Sequence, residues 1–187
     1  MTPDLDSSMP EISDDAYFNN PADRSPGRFD ARVLRERLSL LPTRSPICFK
    51  ESDSVSEAMR AMQREHRGCV LVTEDGSQRS RLTGIFTERD VLLRIIDRGR
   101  NPTTLILGEV MIRDPECLGV DAPVAWVLNK MSVGGFRHVP AVDDEGCPVL
   151  IVSVRDVVEF LVQSFPSEIL NLPPEFGVKR YQTRDGA

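Results

Sequence analysis

No stretch of the 187 residues approaches the ~18 consecutive apolar residues that a membrane-spanning helix requires, so no membrane partner is expected. The opening Met1-Thr2-Pro3-Asp4-Leu5-Asp6 has neither the basic start nor the apolar run of a secretory signal. Aromatics make up only 6% of the chain, and no Lys/Arg stripe is interleaved with them, which leaves nucleic acid without its usual electrostatic footprint. Histidine occurs only as His66 and His138. Cys48, Cys69, Cys117 and Cys147 form no C-x-x-C pair and no zinc-like spacing with a histidine. The first three of these cysteines lie among strand-forming residues and are expected as buried apolar side chains. Unpaired thiols suit a reducing, cytoplasmic compartment. No nucleophile–base pair and no metal-ligand set recurs, so an enzyme is not expected.

Negative charge is present, but it is concentrated. Of the formal −6, six acids before Phe29 set against Arg24 and Arg28 account for −4, leaving −2 for everything that follows. Residues 1–28 are rich in Pro, Ser, Asn and Asp without periodicity, which predicts a disordered acidic tail. Phe29, Val33, Leu34, Leu38 and Leu41 then fall at helical spacing, predicting a short amphipathic helix that leads into the next segment.

From Pro46 the chain repeats itself. The run Pro46-Ile47-Cys48-Phe49 is answered 69 residues later by Pro115-Glu116-Cys117-Leu118, and the same offset carries Val55, Ala58, Met59 and Met62 onto Val124, Val127, Leu128 and Met131. Both apolar sets have the i, i+3, i+4, i+7 spacing of a helix packed on one face. Cys69–Val72 and Val139–Val142 read as strands followed by the turns Glu74-Asp75-Gly76 and Asp144-Glu145-Gly146. Two corners close the repeats: Gly84-Ile85-Phe86-Thr87-Glu88-Arg89-Asp90, and Leu150-Ile151-Val152-Ser153-Val154-Arg155-Asp156. Each is a strand, a hydroxyl at the turn, and an Asp three residues on that opens a helix. Those helices are expected to bury Val91, Leu92, Ile95 and Ile96 in one copy and Val157, Val158, Leu161 and Val162 in the other.

The fold class that follows is α+β, two β-α-β-β-α units related by an internal twofold, since a unit of 50–60 residues buries too little surface alone. The expected boundaries are a tail over 1–28, a first repeat with its leading helix over 29–100, a second repeat over 101–165, and a C-terminal tail over 166–187. That last tail carries Leu170, Leu172 and Phe176 without periodicity, so it is expected to dock on its own domain or a neighbour.

The duplicated unit, the G-I-F-T-x-R-D corner and the Gly135-Phe136-Arg137-His138-Val139-Pro140 run resemble a tandem pair of CBS (cystathionine-β-synthase-type) domains, a Bateman module, over roughly residues 36–165. The resemblance implies a regulatory sensor of an adenosine-containing ligand (AMP, ADP, ATP or S-adenosylmethionine), with no required cofactor and Mg²⁺ a possible companion of a polyphosphate. It implies a homodimer and a client protein whose identity is open. One site would use Ile85, Thr87 and Asp90, the other Ile151, Ser153 and Asp156. Arg67, Arg137 and His138 fall where the family contacts phosphate, and Thr43 and Ile47 where one repeat closes over the adenosine of the other. Two departures stand out: Leu150 replaces the glycine that opens the corner, which would crowd a ligand or alter a strand end, and Gly68 stands opposite His138, removing a phosphate contact from the first site.

The residues themselves leave an alternative open. Ser or Thr followed three residues later by an acid is also a capping box, which needs no ligand. On that reading the chain is a ligand-independent dimerisation or interaction scaffold. Trp126, between the core positions Val124 and Val127, is expected partly exposed at an interface, and His66 exposed at a helix end.

Overall fold

The structure, a computed structural model, describes residues 31–166; the expectations for both tails lie outside the described residues. The apolar stripe beginning at Val55 forms α1 (Val55–Arg64), whose Ser54 hydroxyl accepts a hydrogen bond from the Ser56 amide and caps the first turn. Before it runs β1 (Cys48–Phe49), and after it come β2 (Cys69–Thr73) and β3 (Leu82–Thr87). The first corner opens α2, an α-helical turn over Glu88–Asp90 that continues as a π-helix over Val91–Ile96. After β4 (Ile112–Arg113) the second half repeats the order: β5 (Leu118–Gly119), α3 (Val124–Gly134), β6 (His138–Val142), β7 (Pro148–Ser153) and α4 (Val154–Ser164). No helix among the described residues is long and apolar enough to cross a membrane.

Two sheets result, in strand order β1-β2-β3-β4 and β5-β6-β7. In each half the first strand runs parallel to the second and the second antiparallel to the third. The register slips at Val72/Thr73 in one and at Ala141/Val142 in the other, equivalent positions 69 residues apart. The sheets meet through Cys69, Leu71, Ile85 and Ile151, all buried in one cluster. The α+β pair expected from the repeat is therefore present.

The segments that precede each half pack in the opposite one. Leu38 and Leu41 are buried with Val124, Val127 and Val152, whereas Leu105, Leu107, Val110 and Met111 complete the core of Val55, Val70 and Phe86. The leading helix expected from Phe29 is correspondingly replaced by two 3₁₀ turns, Ala31–Arg35 and Leu38–Leu40. Backbone groups that an α-helix would use internally are spent across the contact: Val124 N donates to Glu36 O (2.9 Å) and Leu38 N to Ala122 O (3.0 Å).

Two burial expectations are also corrected. Ile95 and Val157 are buried, but Leu92 (58% exposed), Ile96 (64%) and Val158 (52%) face outwards. An apolar band this wide exceeds one helix face, and the i to i+5 bonds of the π segment (Asp97 N to Leu92 O, 2.9 Å) alter its register further. Cys69 is buried and Cys48 half-buried, yet Cys117, immediately before β5, is exposed.

Leu107, fully buried although it lies outside the first repeat in sequence, gives the test of this exchange. Leu107→Ala is expected to destabilise the protein by about 2–5 kcal/mol in urea unfolding, while the neighbouring, exposed Ile106→Ala changes stability by less than about 1 kcal/mol. Equal effects would count against the exchanged packing.

Candidate functional site

Both corners are closed capping boxes. Thr87 N and Oγ1 donate to Asp90 Oδ2 at 2.9 and 2.7 Å, and Asp90 N returns a bond to Thr87 Oγ1 at 3.4 Å. Ser153 and Asp156 repeat the pattern at 2.7, 2.7 and 3.3 Å. The hydroxyl is needed because only a short oxygen-bearing side chain in extended backbone reaches the N3 amide; the carboxylate is favoured by the positive end of the helix.

The second corner borders a cavity of about 200 Å³ that brings together Ile47, Arg67, His138, Ile151, Ser153 and Asp156. Thr43 is not part of its lining; the neighbouring Pro42 and Arg44 are, together with Arg155 and Glu159, which the sequence reading did not assign to a site. Arg44 is recognisable only in retrospect as a cation beside Pro42, and Glu159 as the position one turn after Asp156. Arg67 Nη2 donates to Ser45 O (3.0 Å), and Arg44 Nη1 reaches Glu65 O at 3.5 Å. Among the described residues, no carboxylate pairs with Arg44, Arg67 or Arg155. Burial and the adjacent Arg44 lower the Arg67 pKa, but arginine starts so high that it stays charged at neutral pH. His66, exposed as expected where α1 ends with φ 50°, also borders this cavity.

The first corner borders a cavity of about 210 Å³ with Ile85, Thr87, Asp90, Arg137 and His138. The two cations have therefore crossed over: Arg67 of the first half faces the second corner, and Arg137 of the second half faces the first. The apolar contact between sheets causes this, because it lays the start of each middle strand over the other half's corner. A wider groove of about 850 Å³, lined by His66, Arg67, Arg137, His138 and Arg155, runs between the corners.

The two departures at Leu150 and Gly68 have packing causes. A Cβ at Gly68 would lie 2.8 Å from His138 Cε1, so the missing side chain is what seats the imidazole between the two cavities. At Gly84 a Cβ would lie 2.5 Å from the Met111 sulfur and 3.2 Å from Ile112 O, so this glycine admits β4 against β3. No strand lies against β7 in that way among the described residues, and Leu150 fills the second core, away from either cavity.

Cys69, on the wall of the second cavity, is an inert thiol whose pKa burial pushes up to about 12. His138 moves the other way. Burial chiefly, and Arg137 in addition, push its imidazole below the usual value near 6.5, while Asp156 pulls it back up. The folded protein thus binds fewer protons at His138 than the unfolded chain does. That stability is complete above the unfolded value and is lost as pH falls from about 6.5 through the lower folded value. Urea unfolding between about pH 7.5 and pH 5 is expected to show this decline, and His138→Asn is expected to flatten it; an unchanged slope would remove His138 as its source.

Known proteins match the same architecture. The CBS domain family model matches residues 37–97 and 107–163. CBS domain-containing protein CBSX3, mitochondrial, from Arabidopsis thaliana is 31% identical over 122 residues, which span 64% of this chain and 58% of that protein. An uncharacterized conserved protein from Pyrococcus horikoshii has the same fold with TM-score 0.61 and 26% identity, over 67% of this chain and 92% of that one. CBS domain protein PAE2072 from Pyrobaculum aerophilum, solved in complex with AMP, gives TM-score 0.60 and 23% identity over 68% and 96% of the two chains. With two matched segments covering both halves of the repeat, the chain belongs to the CBS-domain family and carries a tandem pair, a regulatory module.

Proposed function

We propose that this CBS pair is a sensor that binds an adenine nucleotide at the second corner and passes the resulting change in the two halves to a client protein. The observation that carries this reading is the second cavity, lined by Asp156, one of whose carboxylate oxygens has no partner among the described residues, and by Arg44, Arg67 and Arg155, cations likewise without a carboxylate of their own among those residues. A carboxylate accepts the two hydroxyl donors of a ribose, and guanidinium groups take phosphate oxygens through charge-assisted bonds. Ile47 and Ile151 supply apolar walls suited to the base. The charge balance favours AMP, ADP or ATP over S-adenosylmethionine, whose sulfonium would face the arginines. Adenine nucleotide binding also fits the Pyrobaculum protein of the same fold that holds AMP. Mg²⁺ would enter with a polyphosphate, because no group of three metal-ligating side chains converges among the described residues.

The outward-facing Leu92, Ile96 and Val158, with Trp126 at 59% exposure, suit helix-mediated pairing of two copies. A scaffold role that needs no ligand is favoured by one specific observation, that both capping boxes are complete as they stand.

Isothermal titration of the full chain with AMP, ATP and S-adenosylmethionine separates the two readings. Saturable heat with AMP or ATP is expected, abolished in Asp156→Ala and weakened about 10- to 100-fold in Arg67→Ala, the range for a lost charged hydrogen bond. An anion beside His138 favours its protonated form, so affinity is expected to rise as pH falls below about 7. A folded protein that binds none of the three at millimolar concentration is a scaffold.

A further inference from the structure

The two corners have the same sequence logic but differ in what remains available on their carboxylates. Each carboxylate oxygen has two lone-pair positions. On Asp90, Oδ2 is filled by Thr87 N and Oγ1, and Oδ1 is ion-paired with Arg94 Nε at 3.1 Å, one helical turn later. The Asp90 side chain borders the first cavity but is only 6% exposed. Arg94 is held from its other end, since Nη1 donates to Met111 O at 3.0 Å, immediately before β4 joins β3. On Asp156, which lines the second cavity, Oδ2 is filled in the same way by Ser153, but Oδ1 has no partner among the described residues. The position that corresponds to Arg94 there is Phe160, whose ring joins the second core and offers no cation.

We infer that each chain has one working adenine-nucleotide site, at Asp156, and that Arg94 is the specificity-determining residue that closes the equivalent site at Asp90. A ribose diol needs two adjacent acceptor positions; Asp156 presents them and Asp90 does not. Arg94 turns the first corner into a tie between α2 and the segment leading to β4. The inference rests on the nucleotide reading of the second corner and adds the number of sites and the residue that sets it.

Titration of the full chain with AMP reads the stoichiometry directly. One AMP per chain is expected for the wild type, lost in Asp156→Asn and retained in Asp90→Asn. Arg94→Met, which keeps the length of the stem without the charge, is expected to bind two per chain. Arg94→Met combined with Asp156→Asn is expected to keep one, now at the first corner. Two AMP per wild-type chain would overturn the inference while leaving the nucleotide reading intact, whereas binding lost in Asp90→Asn and kept in Asp156→Asn would overturn the inference together with the placing of the nucleotide at the second corner. Absence of binding in both the folded wild type and Arg94→Met would sink the nucleotide reading together with the inference. Should Arg94→Met fail to fold, as a thermal melt would reveal, the wild type and the two aspartate variants still decide the stoichiometry.

Discussion

Leu38 and Leu41 fill the core of a half that begins some seventy residues later, and Leu105 and Leu107 fill the core of the half they have already left. This exchange is the constraint on which the rest of the structure depends. A unit of this size buries too little apolar surface alone, and here neither core is complete without chain borrowed from across the repeat boundary. Cooperative folding of the two halves follows, because removing one leaves the other with an open core.

The same coupling positions the candidate site. The sheets meet through Leu71, Ile85 and Ile151, and that contact places Arg67 above the second corner and Arg137 above the first. His138 sits between both cavities in the space left by Gly68. A ligand in the second cavity would therefore touch both halves at once. A change in their separation is felt by the ligand, and a ligand with different affinity for two separations shifts their populations by that difference.

Symmetry in such a pair is a matter of backbone more than of chemistry. The strands, the register slip and the capping boxes recur, yet Arg94 stands where Phe160 stands, and Gly84 where Leu150 stands. Each difference has a local cause. Gly84 admits Met111 and β4, a fourth strand with no counterpart beside β7 among the described residues. Arg94 pairs with Asp90 Oδ1, whose counterpart on Asp156 has no partner among the described residues.

Sequence alone determined the local and periodic features. The 69-residue offset, the stripes at Val55 and Val124, and the two corners each follow from interactions within a few residues, namely helix faces, turn chemistry and capping, so they are written in spacing. An ion pair at i, i+4 such as Asp90–Arg94 was legible in the same way, although only the structure reveals that it occupies the site. Tertiary structure decided what depends on contacts distant in sequence. These are the docking of the leading segment on the opposite half, the exposure of Leu92, Ile96 and Val158, and the crossing of Arg67 to the second corner. The physical reason is that apolar spacing specifies that a face will be buried but carries no record of the partner that buries it.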